Sequence, residues 1–262
     1  MTVAKVEELR LLVENFVLKY PEEHSLRNWW HRPLLATAPV DERFEILPRI
    51  AAPDHAQPVD LLPEARSVIA FFIPFVPELL QENSRGQRPC RNWGLAYVET
   101  NQLIGALGPA VQNHLAQHDF DSALTPATHN FDPVKLNSRW SHKHLGHLCG
   151  LGRFGHNAQL ITPAGCGGRL GSLVTEAELG DNPVIVSSEA CLRKTGGECL
   201  DCIENCPANA LTETGIDRQR CWAWLKNNLA ASSELRGLPN TTHVCGKCVA
   251  GVACSVESPV AV

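Results

Sequence analysis

Apolar residues recur at helical spacing near the start of the chain: Val6, Leu9, Val13, Phe16 and Val17 share one face and predict an amphipathic helix over residues 3–18. The pattern then breaks. Residues 21–65 are rich in proline and charge and read as irregular chain, with Trp29 and Trp30 expected to pack against a core. Residues 67–75, SVIAFFIPF, form an apolar, β-branched and aromatic run without polar alternation, which predicts a central strand covered on both faces. A long helix is expected over 92–117, a weaker strand over 120–125, and a helix over 140–148 that runs into the glycine-rich turn CGLGRFGHN. Two further strands, 158–162 and 171–179, bracket the loop at 163–170. Helices and strands interleave through residue 187, where the periodicity stops and cysteines begin. Two domains, 1–187 and 188–262, are therefore expected.

Composition narrows this little. The 262 residues are 44% hydrophobic and 19% charged with net charge −5, ordinary for a folded domain plus a small module. The longest apolar string, 68–76, is broken by Pro74 and falls well short of the roughly 20 residues of a membrane span. Lys5, Glu7, Glu8 and Arg10 interrupt the first dozen residues, which lack the apolar core of an export signal. A cytoplasmic protein without membrane contact is the expectation. The acidic balance gives no footprint for nucleic acid, and Arg85, Arg88 and Arg91 read as a solvated loop.

The chemistry lies in the cysteines. Of eleven, eight follow residue 190, as Cys191, Cys199-x2-Cys202-x3-Cys206-Pro207, Cys221, and Cys245-x2-Cys248-x5-Cys254. An x2 step lets neighbouring thiolates bind adjacent irons of one cluster, while the x3 step and Pro207 turn the chain away and hand Cys206 to another, as in bacterial two-cluster ferredoxins. On this logic one 4Fe–4S cluster takes Cys191, Cys199, Cys202 and the distant Cys254, and a second takes Cys206, Cys221, Cys245 and Cys248. Two features are irregular: seven residues separate Cys191 from Cys199, and no proline follows Cys254. A structural zinc held by the two x2 pairs would leave four cysteines unexplained. Disulfides would need export. Cys90 and Cys149 are assigned to packing, and Cys166, in the loop AGCGG, is either an extra ligand or nucleophile or an inert small residue.

The run 65–75, the segment GLGRFGHN at 150–157 leading to LITP at 160–163, the stretch LGSLVT at 170–175 and the eight cysteines occur in an order that resembles epoxyqueuosine reductase and, more distantly, reductive dehalogenases. The resemblance implies an α/β (α+β) nitroreductase-like sandwich domain that binds cobalamin, with a C-terminal ferredoxin-like module carrying two 4Fe–4S clusters that reduce the cobalt. It implies that Gly150, Gly152, Arg153, Gly155, His156, Thr162, Arg169, Gly171 and Ser172 contact the cofactor, the glycines allowing close backbone approach. A flavin in the same pocket is the less favoured alternative.

At one point the chain departs from that family, which carries an acidic proton donor about a dozen residues before its Gly-Leu-Gly. Here the stretch holds Asn137 beside Ser138, and an amide is no general acid. The donor is then sought in Asp132, in Tyr97, or in His142, first of three histidines (His142, His144, His147) on a short helix. A tRNA substrate is not expected. The reading is an iron–sulfur, corrinoid-dependent reductase of a small molecule or modified nucleoside, supplied by reduced ferredoxin or flavodoxin. The alternative is an electron-transfer protein that serves a partner's corrinoid or redox centre.

Overall fold

A computed structural model describes residues 6–126, 131–185 and 187–260. In chain order its elements are α1 (Val6–Glu23), β1 (Leu34–Pro39), α2 (Leu47–Ile50), α3 (Pro58–Leu61), β2 (Ser67–Pro74), α4 (Pro77–Ser84), α5 (Arg91–Ala116), β3 (Ser122–Leu124), α6 (His142–Leu148), β4 (Arg153–Phe154), β5 (Leu160–Ile161), β6 (Gly168–Thr175), α7 (Asp201–Glu204), β7 (Leu211–Thr212), β8 (Gly215–Ile216) and α8 (Arg218–Ala231). This is an α+β chain. It divides into two compact units, the first formed by Met1–Ile73, Leu103–Gly152 and Arg169–Ser187, the second by Pro74–Gln102, Arg153–Gly168 and Ser188–Val262. One seam thus falls between Ser187 and Ser188, and the second unit also takes in two earlier segments.

The first unit is built on a four-stranded sheet in the order β1-β2-β6-β3. All eight residues of β2 are buried, as an apolar run without alternation requires. The edge strand β1 pairs antiparallel with it, Leu34 opposite Phe72 and Pro39 opposite Ser67. This strand lies inside the stretch expected to be irregular: LLATAP is short and ends in proline, which an edge position tolerates because one side of the strand carries no ladder. The other edge, β3, pairs antiparallel with β6. Helix α1 buries Leu9, Val13, Val17 and Tyr20 on one face. Tyr20 meets Trp30 edge-on at 5.8 Å, and both Trp29 and Trp30 are buried. Within α5, Leu103, Leu107, Val111 and Leu115 form a fully buried stripe at four-residue spacing.

The second unit holds α4, the first half of α5, α7, α8 and the hairpins β4–β5 and β7–β8, joined by turns and irregular chain. Its aromatic centre is Phe75 against Trp93, centroids 5.3 Å apart. The three arginines read as a solvated loop are exposed, and the segment also makes contacts within the unit. Arg88 donates to Asn228 Oδ1 at 3.2 Å and lies over the Trp224 ring; Arg91 donates to the carbonyls of Glu234 and Arg236; the Arg85 carbonyl accepts from Lys247. Among the described residues no helix is long and apolar enough to cross a membrane.

Candidate functional site

All eight late cysteines belong to the second unit. Cys191, Cys199, Cys202 and Cys254 line a single cavity together with Asn157 and Arg193. The seven-residue spacer after Cys191 is a compact turn: the Thr195 and Gly197 N–H groups donate to the carbonyls of Cys191 and Leu192 at 3.0 and 2.8 Å, which folds the chain back and brings Cys199 to the same cavity. Cys202 sits on α7, and Asp201 beside it accepts from the Ala253 N–H at 2.8 Å, tying the Cys254 segment to that helix. Burial, then the neighbouring Cys254, Cys191 and Cys199, push the Cys202 thiol up to about 12. Burial first, and further on Cys191 and Cys254, also raise the Cys199 thiol.

The second set gathers around Cys248, whose thiol is raised by burial and then by Cys245, Cys221, Cys206 and, from the first set, Cys202. The two sets are neighbours. Cys206 follows α7 and accepts a backbone N–H from Ala210 at 3.2 Å on its sulfur. Cys221 rides on α8, whose first turn is capped by Asp217. The Cys245–Cys248 turn depends on Gly246: its φ is +73°, and a Cβ there would lie 2.2 Å from the Trp93 ring.

Three buried asparagines hold this turn by its carbonyls. Asn228 donates to Val244 O, Asn83 to Cys245 O and Asn157 to Cys248 O, at 2.9–3.0 Å. Between the two cysteines the buried Lys247 ammonium donates to the carbonyls of Asn83 and Arg85. These four residues were not singled out in the sequence. Lys247 could have been, since it stands inside C-G-K-C, and so could Asn157, which ends the GLGRFGHN segment; nothing around Asn83 or Asn228 marks them.

A ninth thiol adjoins the first set. Cys166 Sγ lies 3.6 Å from Cys254 Sγ, the Cys166 N–H donates to Cys254 O at 2.9 Å, and Asn157 Nδ2 reaches Cys166 Sγ at 3.7 Å. Cys166 keeps the proton and donates it, so that Cys254 is favoured as thiolate.

The remaining site residues divide between the units. In the first, His142 and Ser172 come together with Trp140. The indole N–H donates to Ser172 Oγ at 3.1 Å, and Ser172 Oγ meets His142 Nδ1 at 2.7 Å, while His142 Nε2 meets Pro126 O at 3.1 Å. A carbonyl only accepts, so the proton is on Nε2 and the serine hydroxyl donates to Nδ1. Burial lowers the His142 pKa to about 4, and the ring is neutral at pH 7. Asp132 is exposed and accepts the N–H groups of Val134 and Lys135, both at 2.8 Å, which lower its pKa; it caps its own turn as a carboxylate. Tyr97 belongs to the second unit, half-buried on α5.

Of the glycines, Gly150 has φ +78° and faces Pro183, Gly171 lies on the Phe71 ring, and Gly155 faces Asn157 and Ile161; a Cβ at each would clash with protein at 2.2–2.7 Å. Thr162 closes its own turn by donating to Gly165 O, and His156 Nε2 donates to Thr212 O. Arg169 belongs to the first unit and acts electrostatically on His142; Arg153 and Gly152 lie at the start of β4, and Gly152 O accepts from His147 Nδ1 at 3.0 Å.

No protein-family model and no curated protein matches the chain. Solved structures do match. An epoxyqueuosine reductase from Streptococcus thermophilus is 14% identical over 94% of this chain and 67% of its own, with TM-score 0.53. A catabolic reductive dehalogenase in complex with 3-bromo-4-hydroxybenzoic acid is 12% identical over 86% of this chain and 30% of its own, with TM-score 0.58. An epoxyqueuosine reductase bound to a tRNA stem loop is 17% identical over 83% of this chain, with TM-score 0.49. The chain spans only 58% of that last protein. At these identities the likeness is one of fold, and this chain shares the fold of the epoxyqueuosine reductases and reductive dehalogenases.

Proposed function

We propose that the chain is an iron–sulfur oxidoreductase in which Cys191, Cys199, Cys202 and Cys254 hold one 4Fe–4S cluster and Cys206, Cys221, Cys245 and Cys248 a second, in a ferredoxin-like arrangement. The observation that carries this reading is the separation of eight thiols into two neighbouring groups of four. A cubane takes one thiolate on each of four irons. A single zinc ion with 2.3 Å bonds would draw its sulfurs to about 3.8 Å of one another. Among the described residues no three cysteine sulfurs lie mutually within 4.8 Å, a spread that suits a polynuclear group. Donors are also in place. Burial raises the Cys245 thiol, and the buried Trp224 indole N–H, which makes no well-formed hydrogen bond, offsets a small part of that. Hydrogen bonds to sulfur and the buried charge of Lys247 set how readily such a cluster is reduced.

The electron acceptor we propose is a corrinoid, by fold likeness to a dehalogenase whose structure is described as suggesting a mechanism for B12-dependent dehalogenation. When bound, a corrinoid would supply the strongly reducing metal centre, with reduced ferredoxin or flavodoxin as the source of electrons and a small molecule as substrate. The predicted glycine cradle does not by itself fit a flat macrocycle, because Gly150, Gly155 and Gly171 each abut protein. In the first unit the chain's own contribution is a fixed proton: Trp140 and His142 hold the Ser172 hydroxyl in one orientation.

The same observations favour a second reading, electron delivery to a partner's corrinoid or redox centre. One experiment separates the two. After anaerobic reconstitution with iron and sulfide, incubation with hydroxocobalamin and desalting, about eight irons with stoichiometric cobalt support the reductase. Eight irons without cobalt select the carrier. Four or fewer irons with zinc retained would overturn the cluster assignment.

A further inference from the structure

We propose that Glu8, His114 and His118 form a binding site for one divalent transition-metal ion, with Zn2+ the ion their donor set suits. One ligand atom from each lies within 4.8 Å of the others, and among the described residues this is the only such group of histidine, cysteine and acidic side chains. All three belong to the first unit, apart from the cysteines. Glu8 opens α1 on its exposed side. His114 is in the last turn of α5, and His118 follows four residues on, the spacing that puts two imidazoles on one side of a helical turn.

A buried atom points to a ligand here. His114 Nε2 makes no hydrogen bond, an arrangement that costs the desolvation of a polar atom unless something binds it. His118 follows in the C-terminal turn: Asp119 takes a left-handed φ of +64°, and the N–H groups of Asp119 and Phe120 donate to the carbonyls of Ala116 and Leu115 at 3.1 Å, a Schellman closure. The two rings stand 5.0 Å apart at 68°, not stacked. The carbonyl end of a long helix also favours a cation.

Two imidazoles and one carboxylate are a known zinc donor set, leaving the fourth position to water. Bonds of 2.0–2.1 Å put tetrahedral ligand atoms about 3.4 Å apart, a separation compatible with the 4.8 Å limit within which the three atoms lie. The site would pin α1 to the end of α5.

Since free thiols in general compete for zinc, the test uses the full chain after anaerobic cluster reconstitution, titrated with Zn2+ alone and examined by zinc-edge X-ray absorption. The expected result is one equivalent with only nitrogen and oxygen neighbours. His118→Ala and Glu8→Gln, both at accessible positions, should each weaken binding by about tenfold or more while iron content stays at the wild-type level. Sulfur in the zinc shell, or wild-type affinity in both variants, would overturn the proposal. Because iron is counted separately, this result does not depend on the cluster assignment.

Discussion

At the scale of single residues, side chains that were legible in the sequence are those whose chemistry is rare: eight cysteines, and a histidine near the asparagine that stands where an acid was expected. What the sequence hid is how each is held. His142 is engaged at both ring nitrogens and kept neutral by burial. Its pKa is about 4 in the folded chain and ordinary near 6.5 when unfolded, so between those values the unfolded state binds more protons. Stability should therefore be full above pH 6.5 and fall as pH drops toward 4, by at most about 3 kcal/mol from this group. Chemical denaturation of wild type and His142→Gln at pH 7.5 and 5 checks this; equal pH slopes in the two proteins would remove His142 as the cause. Cys166 is the second case. With its thiol 3.6 Å from Cys254 and donating, Cys166→Ala should leave iron content intact but lower the reduction potential of one cluster, read by anaerobic redox titration. Loss of half the iron would instead make Cys166 a ligand.

Elements long or apolar enough to be read from periodicity, α1, β2 and α5, stand close to where the pattern puts them. β1 was not legible, because six residues ending in proline and lying in a charged stretch carry no alternation of their own; their strand character comes from pairing with β2. The Cys245–Cys248 turn makes the same point for the site. Its cysteines are plain in the sequence, but its shape comes from Asn83, Asn157, Asn228 and the ring of Trp93, all remote along the chain. Gly246→Ala should cost about 1–3 kcal/mol from the left-handed backbone alone, with the clash against Trp93 added, and should reduce iron retention. Asn228→Ala, which leaves Val244 O unpaired in the interior, should cost about 1–3 kcal/mol by thermal denaturation. A neutral result there would mean the turn is held by its cluster and not by the asparagines.

For the molecule as a whole, much of the cysteine-bearing part of the second unit is turn and irregular chain around thiols raised by burial and by one another. Cluster binding should contribute folding free energy to this unit. Limited proteolysis before and after reconstitution should show cleavage within 188–254 suppressed by iron and sulfide, and Cys202→Ala should lose about half of the iron and part of that protection. Iron unchanged in Cys202→Ala would sink the ligand assignment. The sequence suggested a boundary at 187/188 because cysteines begin there; that segments 74–102 and 153–168 also join the cysteine unit could not be read from composition, since they look like ordinary helix and turn.

The position of Cys254 has a consequence for how such a protein is made. It completes a cavity whose first wall, Cys191, is about 60 residues earlier in the chain. At ~5–20 residues per second, a ribosome exposes seven reactive thiols over several seconds before the eighth emerges. The cluster proposed for Cys191, Cys199, Cys202 and Cys254 cannot be fully ligated in that interval. Under the proposed ligand set, the nascent chain has to be kept reduced and free of scavenged metal until synthesis has passed Cys254, which would make insertion of that cluster a late event.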